Sequence, residues 1–434
     1  MKPTKVRWFI LFGVISPMTL LMQLDRTTLA VSAPVIQKQF GFSMMEMSLI
    51  LSSFYWAYAF ANLPAGVWVQ KIGSRKGLLL ACVWWSVVTI LMPPVMSVIP
   101  LLILFRVMLG IGQAADWPAS ILTINNWFPK IEKARASSIL LGSMYCASLI
   151  GKPLTAWIVE NFGWEWSFYS FGAANLLIAW LWYTYVRDVP AEHPRINEAE
   201  LKCISEGIET KVVKNVSWQD WQLFMGKYEF WALGGQYFLL ILIQSFYNTW
   251  LPTYLMNTRQ ISLTKMGWLA SLPWLSMFTM VLVMGQIADF VYKKTNSPRI
   301  ARVPFAISGF LASALFLYLG AMEKDLTLMI IYLMVSMAGI ATAQVALWAT
   351  CQDIAGPRSA SMTGWMSFCG NLGNALGPIL TAFFIGASGD WSRGLTLLAI
   401  SGALGAIVWF FIRPDRPLTF ADDKNSGSAA GAAK

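Results

Sequence analysis

The amino-acid sequence predicts an all-α integral membrane protein with twelve transmembrane helices in two six-helix halves. Three observations predict it. The 434 residues are 56% hydrophobic and 12% charged, with a mean hydropathy of +0.55, whereas soluble domains carry about 25% charged residues. Twelve apolar runs are each long enough for a helix to cross a hydrocarbon core, which takes about 20 residues. A charged stretch follows the sixth run and divides the twelve evenly.

The runs lie at about 8–36, 46–69, 77–96, 99–127, 136–158, 166–186, 229–256, 266–291, 303–321, 326–350, 360–387 and 393–412. Barrel strands would be about 10 residues long and alternating, and these runs are neither. The first is too long for a cleaved signal peptide and has no small-residue cleavage site behind it. The expected domains are an N-terminal half at 1–187, a cytoplasmic linker at 188–228, a C-terminal half at 229–415 and a tail at 416–434. The linker holds Pro190, Pro194 and an amphipathic piece, Trp218–Phe224. The tail ends in Ser-Gly-Ser-Ala-Ala-Gly-Ala-Ala-Lys, a composition expected to be disordered.

Charge distribution orients the chain. With the N-terminus inside, 24 of the 32 Lys and Arg fall in cytoplasmic segments, 5 in outer loops and 3 in helices. Clusters such as Lys71/Arg75/Lys76 and Lys293/Lys294/Arg299/Arg302 follow the positive-inside rule, which puts both termini in the cytoplasm. The net charge of +10 therefore reports topology and not a nucleic-acid partner. The five cysteines show no metal-ligand spacing, so neither a disulfide nor a metal site is expected. The one histidine, His193, lies in the linker, which argues against histidine proton relays and most hydrolase chemistry. No clustered nucleophile–base set suggests an enzyme.

Five charges interrupt the apolar runs: Asp25 and Arg26 in the first, Arg106 and Asp116 in the fourth, and Lys152 in the fifth. A charge at the bilayer centre costs about 2.5–3.5 kcal/mol on insertion scales, so such residues face a polar cavity, a partner or a substrate. Three cations against two acids suit a bound anion. Arg106 and Gln113 are seven apart and share a helix face. Asp116 is open to two readings, a titrating group or a cap at a helix break before Pro118. Lys152 has three: a salt bridge to Asp116, snorkelling to the outer surface, or a cation for a second carboxylate.

A loop motif occurs twice. Gly66-x-x-x-Gln70-Lys71-x-Gly73-x-Arg75-Lys76 follows the second run, and Gly285-x-x-x-Asp289-x-x-x-Lys293-Lys294 follows the eighth. Acid and bases at this spacing can pair across the loop and latch one conformation. Two equal hydrophobic halves also fit parallel repeats about an axis normal to the membrane.

This plan resembles the major facilitator superfamily over about residues 5–415. Gln70 departs from its pattern, which has an aspartate there. The Asp25-Arg26 pair, Arg106, and the exit Trp127-Phe128-Pro129 with Glu132-Lys133-Ala134-Arg135 together resemble the anion:cation symporter family within it. That resemblance implies a proton-coupled importer of a small organic anion, such as a sugar acid. The proton is the only coupling ion implied. A monomer in a bacterial-type inner membrane is expected, with the bilayer and the substrate as its partners. An exchanger or exporter without net proton coupling is the alternative. Residue by residue, the resemblance implies that Arg26 contacts the substrate carboxylate, Tyr58 hydrogen-bonds substrate, and Asp25 is a protonation site. It also implies that Arg106 holds the helix-one acid charged. In the C-terminal half it assigns Trp348 and Ser367 to the substrate pocket; Asn371 is an amide candidate beside them, and Trp365 an aromatic one. The family has a glutamate where this chain has Gln113, so one proton-coupling group is missing.

Overall fold

The computed structural model describes residues 3–205, 222, 224–356, 359–386 and 388–416. The tail from 417 on and most of the amphipathic piece Trp218–Phe224 lie outside the described residues. Twelve helices coincide with the twelve apolar runs. They are α1 (Val6–Phe40), α2 (Met44–Ile72), α3 (Ser74–Ile90), α4 (Ile99–Trp127), α5 (Lys130–Phe162) and α6 (Trp164–Tyr185). Then come α7 (Tyr228–Thr249), α8 (Leu263–Thr295), α9 (Pro298–Met322), α10 (Leu326–Ala355), α11 (Ser359–Ile385) and α12 (Trp391–Trp409). Nine of them are long and apolar enough to span by length and composition alone. The other three are α3, with only 17 residues, and α2 and α6, where Trp, Tyr and Ser dilute the aliphatic content.

Local chemistry sets the ends and the breaks. Ser43 and Glu46 form a reciprocal capping box that starts α2. Asp325 and Asp390 accept backbone N–H groups at the starts of α10 and α12. Gly73, at φ 86°, makes the turn between α2 and α3, a backbone region that glycine enters without strain. α4 is interrupted at Ala114–Ala115, between Ile99–Gln113 and Asp116–Trp127. Pro118 explains the break, because it has no N–H for the carbonyl four residues earlier. Pro252 acts likewise after Trp250, where α7 gives way to a short helix, Leu251–Arg259.

The chain divides into two compact units that are not simply its two halves. The first comprises Met1–Lys211, Phe246–Trp274 and Ala375–Phe383; the second comprises Val212–Ser245, Leu275–Asn374 and Phe384–Lys434. In the first unit α1 packs on α5, α2 on α4 and α3 on α6. In the second, α9 packs on α12, the pairing of α3 with α6 repeated six helices later.

The first unit also gathers segments of three later helices. Leu251–Arg259 lies on α1. Ser52 of α2 donates to the carbonyl of Ala375, and Trp250 donates to that of Pro378 at 3.1 Å. Glu160, near the end of α5, accepts the backbone N–H of Thr264 at 3.0 Å, occupying a free donor at the start of α8. Gly267 lets α8 lie against α5, since a Cβ there would sit 2.9 Å from the Lys152 carbonyl.

Candidate functional site

The site candidates of the first unit converge on α1. Arg26 projects from its middle. Its Nε donates to Oε1 of Gln113 at 2.8 Å, and its guanidinium lies 4.5 Å from the Tyr58 ring centroid and 5.2 Å from that of Phe54. Among the described residues its Nη2 has only the Met22 sulfur, at 3.7 Å. Gln113 is fully buried and its amide reaches back to the Met22 carbonyl at 3.5 Å. It therefore positions Arg26 through hydrogen bonds without carrying charge. The Phe54 and Tyr58 rings are stacked at 5.9 Å and line one side of the guanidinium. Cations are favoured over such faces.

Arg106 sits on α4 beside the same Phe54 ring, 4.9 Å from its centroid. Its Nε donates to the Ile50 carbonyl at 3.4 Å, and among the described residues its Nη1 has no hydrogen-bond partner. Gly110, one turn on, permits this approach of α4 to α2: a Cβ there would lie 2.5 Å from the Phe54 carbonyl. Arg106 does not hold the helix-one acid in this structure. Asp25, 2% exposed, accepts instead from Nδ2 of Asn175 on α6 at 3.0 Å, and its Oδ1 is unpartnered. Asn175 anchors its other amide hydrogen on the Phe171 carbonyl, also at 3.0 Å.

Asp116 follows the break in α4 but does not cap it; the cap residue is Ala115 and no side chain bonds there. Its carboxylate reaches α1, where Oδ2 accepts from the Thr19 hydroxyl at 3.3 Å. Lys152 makes no salt bridge to Asp116. Among the described residues, none of the five intramembrane charges is in an ion pair.

The repeated loops are wired unequally. In the first, Arg75 finds no acid within its own motif. Its guanidinium donates to the Tyr183 carbonyl at 2.7 Å and lies over the Tyr183 ring. The carboxylate at this corner comes from Asp188, beyond α6, which accepts from Ser74 Oγ and from the Arg75 N–H, both at 2.8 Å. Gly66 makes only ordinary contact with Pro118. In the second loop Asp289 and Lys293 are exposed and, among the described residues, unpaired; nothing crowds Gly285. The expected acid–base pairing is therefore absent from both copies in this structure. A charged clamp forms elsewhere. Arg7 of α1 pairs with Glu132 at 2.9 Å and with Glu200 of the linker helix Glu198–Ser205 at 3.1 Å. Burial alone would raise the Glu200 carboxyl; hydrogen bonds from Thr4, Val6 and Arg7 outweigh it and hold the group below the usual carboxylate range.

The second unit holds Trp348, Ser367 and Asn371. Trp348 packs edge-on against Tyr237 of α7 at 5.3 Å, and Tyr237 in turn covers Gly370, the residue before Asn371. Ser367 lies one turn earlier on α11. Trp365 is a packing residue: it stacks on Phe230 at 4.5 Å and donates to the Phe230 carbonyl. Four participants are not legible in the sequence alone: Phe54, Asn175, Asp188 and Glu200. Asn175 alone had a usable signal, an amide inside an apolar run.

Comparisons with known proteins place this arrangement in a family of membrane transporters. The Major Facilitator Superfamily profile matches residues 15–375 and 299–431, and the chain belongs to that superfamily. It is accordingly a multi-pass transporter and not an enzyme. It is 29% identical over 427 residues to a probable galactarate/D-glucarate transporter, GudP, of Bacillus subtilis (strain 168), covering 95% of this chain and 92% of that one. It is also 29% identical over 392 residues to a probable anion transporter 4, chloroplastic, of Oryza sativa subsp. japonica, covering 90% of this chain and 66% of that one. Its fold matches a bacterial homologue of the human lysosomal transporter Spinster, in an inward-facing and unoccupied conformation. The TM-score is 0.77 at 16% identity, over 94% of this chain and 97% of the other.

Proposed function

We propose that the chain imports a small organic anion, a sugar acid or related carboxylate, together with protons, by alternating access. It acts as a monomer in a bacterial-type inner membrane with both termini in the cytoplasm. The observation that carries this reading is Arg26. It is a guanidinium within the first membrane helix, oriented by Gln113 and two aromatic rings, and among the described residues it is in no ion pair. Nη2 meets only a thioether, a weak acceptor that a carboxylate displaces. Arg106 adds a second positive group at the same Phe54 ring. The names of the relatives, a galactarate/D-glucarate transporter and an anion transporter, support the same substrate class.

An organic monoanion entering a cell at about −100 mV is opposed by about 2.3 kcal/mol, roughly a 50-fold exclusion. One co-transported proton cancels that electrical cost. Asp25 is suited to carry it, with one oxygen fixed by Asn175 and the other unpartnered. Gln113, an amide that does not titrate, favours the second reading, exchange without net proton coupling. The test is purified protein in liposomes, screened with a panel of organic acids while external pH is followed. Symport makes the outside alkaline as substrate enters. Uptake with a flat pH trace selects exchange, and no uptake of any organic acid removes both readings.

A further inference from the structure

Lys152 is fully buried, and among the described residues no ion pair uses its charge. It lies ten residues before the end of α5, about 15 Å of helix at 1.5 Å per residue, too deep for its side chain to snorkel out. It has no acidic partner, and its Nζ has no hydrogen-bond acceptor among the described residues. The ammonium instead rests 4.9 Å from the Trp274 ring centroid. Trp274 is itself buried, and its Nε1–H has no acceptor. The hydroxyl of Thr155, three residues on and on the same helix face, is buried and unpartnered as well. A buried ammonium and a buried indole thus lie together, and among the described residues neither has a hydrogen-bond acceptor.

The backbone fixes the place. Gly267 presses α8 onto α5 at Lys152, and Trp274 follows two turns later on the same face of α8. On the other side, Gly151 presses α5 onto α1: a Cβ there would lie 2.5 Å from Leu24 and 3.2 Å from the Thr27 hydroxyl. Lys152 therefore sits beside the stretch of α1 that carries Asp25 and Arg26.

We propose that Lys152, with the indole N–H of Trp274, forms a second anion subsite that takes the distal carboxylate of a dicarboxylic acid. The subsite rests on the reading that Arg26 holds a first carboxylate, and it narrows the substrate class from organic anions to aldarate-like dianions. The charges agree. Arg26, Arg106 and Lys152 against Asp25 and Asp116 leave one positive charge, so a dianion is neutralised when one acid is also protonated. A cargo of this charge needs at least one proton for each turnover.

The experiment uses full-length protein in liposomes, with D-glucarate and D-gluconate as probes that differ by one carboxylate. Each competes for exchange of the other. The wild type prefers glucarate. In Lys152→Gln the ratio of glucarate to gluconate affinity falls at least about tenfold, the loss expected for one charged hydrogen bond. Lys152→Arg, which keeps the cation, retains the preference. Trp274→Phe, which keeps the ring and removes the N–H, lowers the ratio less. A Lys152→Gln variant that binds gluconate and keeps the wild-type ratio overturns the subsite alone. A variant that binds neither is resolved by Lys152→Met: restored gluconate binding with a lowered ratio supports the subsite, and loss of both acids makes the role structural. Wild-type protein that binds neither acid overturns the organic-acid reading and the subsite with it.

Discussion

The two units differ most in where they keep charge. The first holds five charged side chains deep within its membrane helices, Asp25, Arg26, Arg106, Asp116 and Lys152, and among the described residues none of these five is in an ion pair. In the described helices from α7 to α12, every charged residue lies within two turns of a helix end. The membrane interior of the second unit offers amides, hydroxyls and aromatic rings: Gln236, Gln244, Ser367, Asn371 and Trp348. Charge is costly at depth, and amides satisfied within the protein cost far less. The difference teaches that the first unit concentrates buried charge, the arrangement that the proposed transport of an anion with protons requires. The second has the groups for recognising neutral hydroxyls.

The comparison breaks first at Arg26. Arg26→Ala is expected to abolish substrate binding, by 100-fold or more on the order of magnitude for a truncated buried charge contact. Arg106→Ala is expected to impair transport even where binding survives. Lysine at either position rescues poorly, because it lacks the planar fork that grips a carboxylate with two donors. Isothermal binding and uptake at matched expression check both. Wild-type uptake by both alanine variants would mean that the charges of the first unit are structural.

Asp25→Asn separates binding from coupling. The amide mimics the protonated acid and can still bond to Asn175. The variant is expected to exchange substrate across the membrane while losing pH-driven accumulation. If it concentrates substrate under an imposed pH gradient, the proton is carried elsewhere in the first unit. Asp116 is the next candidate, because its carboxylate has one hydroxyl partner and one free oxygen. Asp116→Asn is expected to lower accumulation about severalfold, each lost proton being worth up to about tenfold per pH unit of gradient. Gln113→Glu in that background is expected to restore part of it. Unchanged accumulation in Asp116→Asn assigns the group to holding α4 against α1.

Much of this was legible in the sequence, and the limits are physical. The twelve spans and the five charges stand out because a bilayer penalises polarity residue by residue. The break in α4 follows from Pro118. Partners are another matter, since they depend on which helices touch. The resemblance implied that Arg106 holds the helix-one acid, but Asp25 turns to Asn175 on α6. Phe54 and Trp274 were hidden among 26 Phe and 22 Trp, most of which serve packing or the membrane interface. Asp188 completes the first loop motif from 114 residues away from Ser74, beyond the reach of any local pattern.

The smallest effects are expected in the second unit, and they test its half of the comparison. Ser367 and Asn371 lie one turn apart on α11, near the Tyr237–Trp348 contact. A neutral hydrogen bond is worth about 0.5–1.5 kcal/mol, so Ser367→Ala and Asn371→Ala are each expected to raise KM about two- to tenfold with maximal rate little changed. Two sugar acids separate recognition from packing. A substrate-contacting amide loses affinity for an acid bearing the matching hydroxyl and not for its deoxy analogue. An amide that only joins helices changes both acids alike and lowers the melting temperature of the purified protein. The first pattern confines charge recognition to one unit and hydroxyl recognition to the other. The second pattern would leave the second unit without a direct part in selecting substrate, and would place discrimination between sugar acids on Tyr58 and the charged groups of the first.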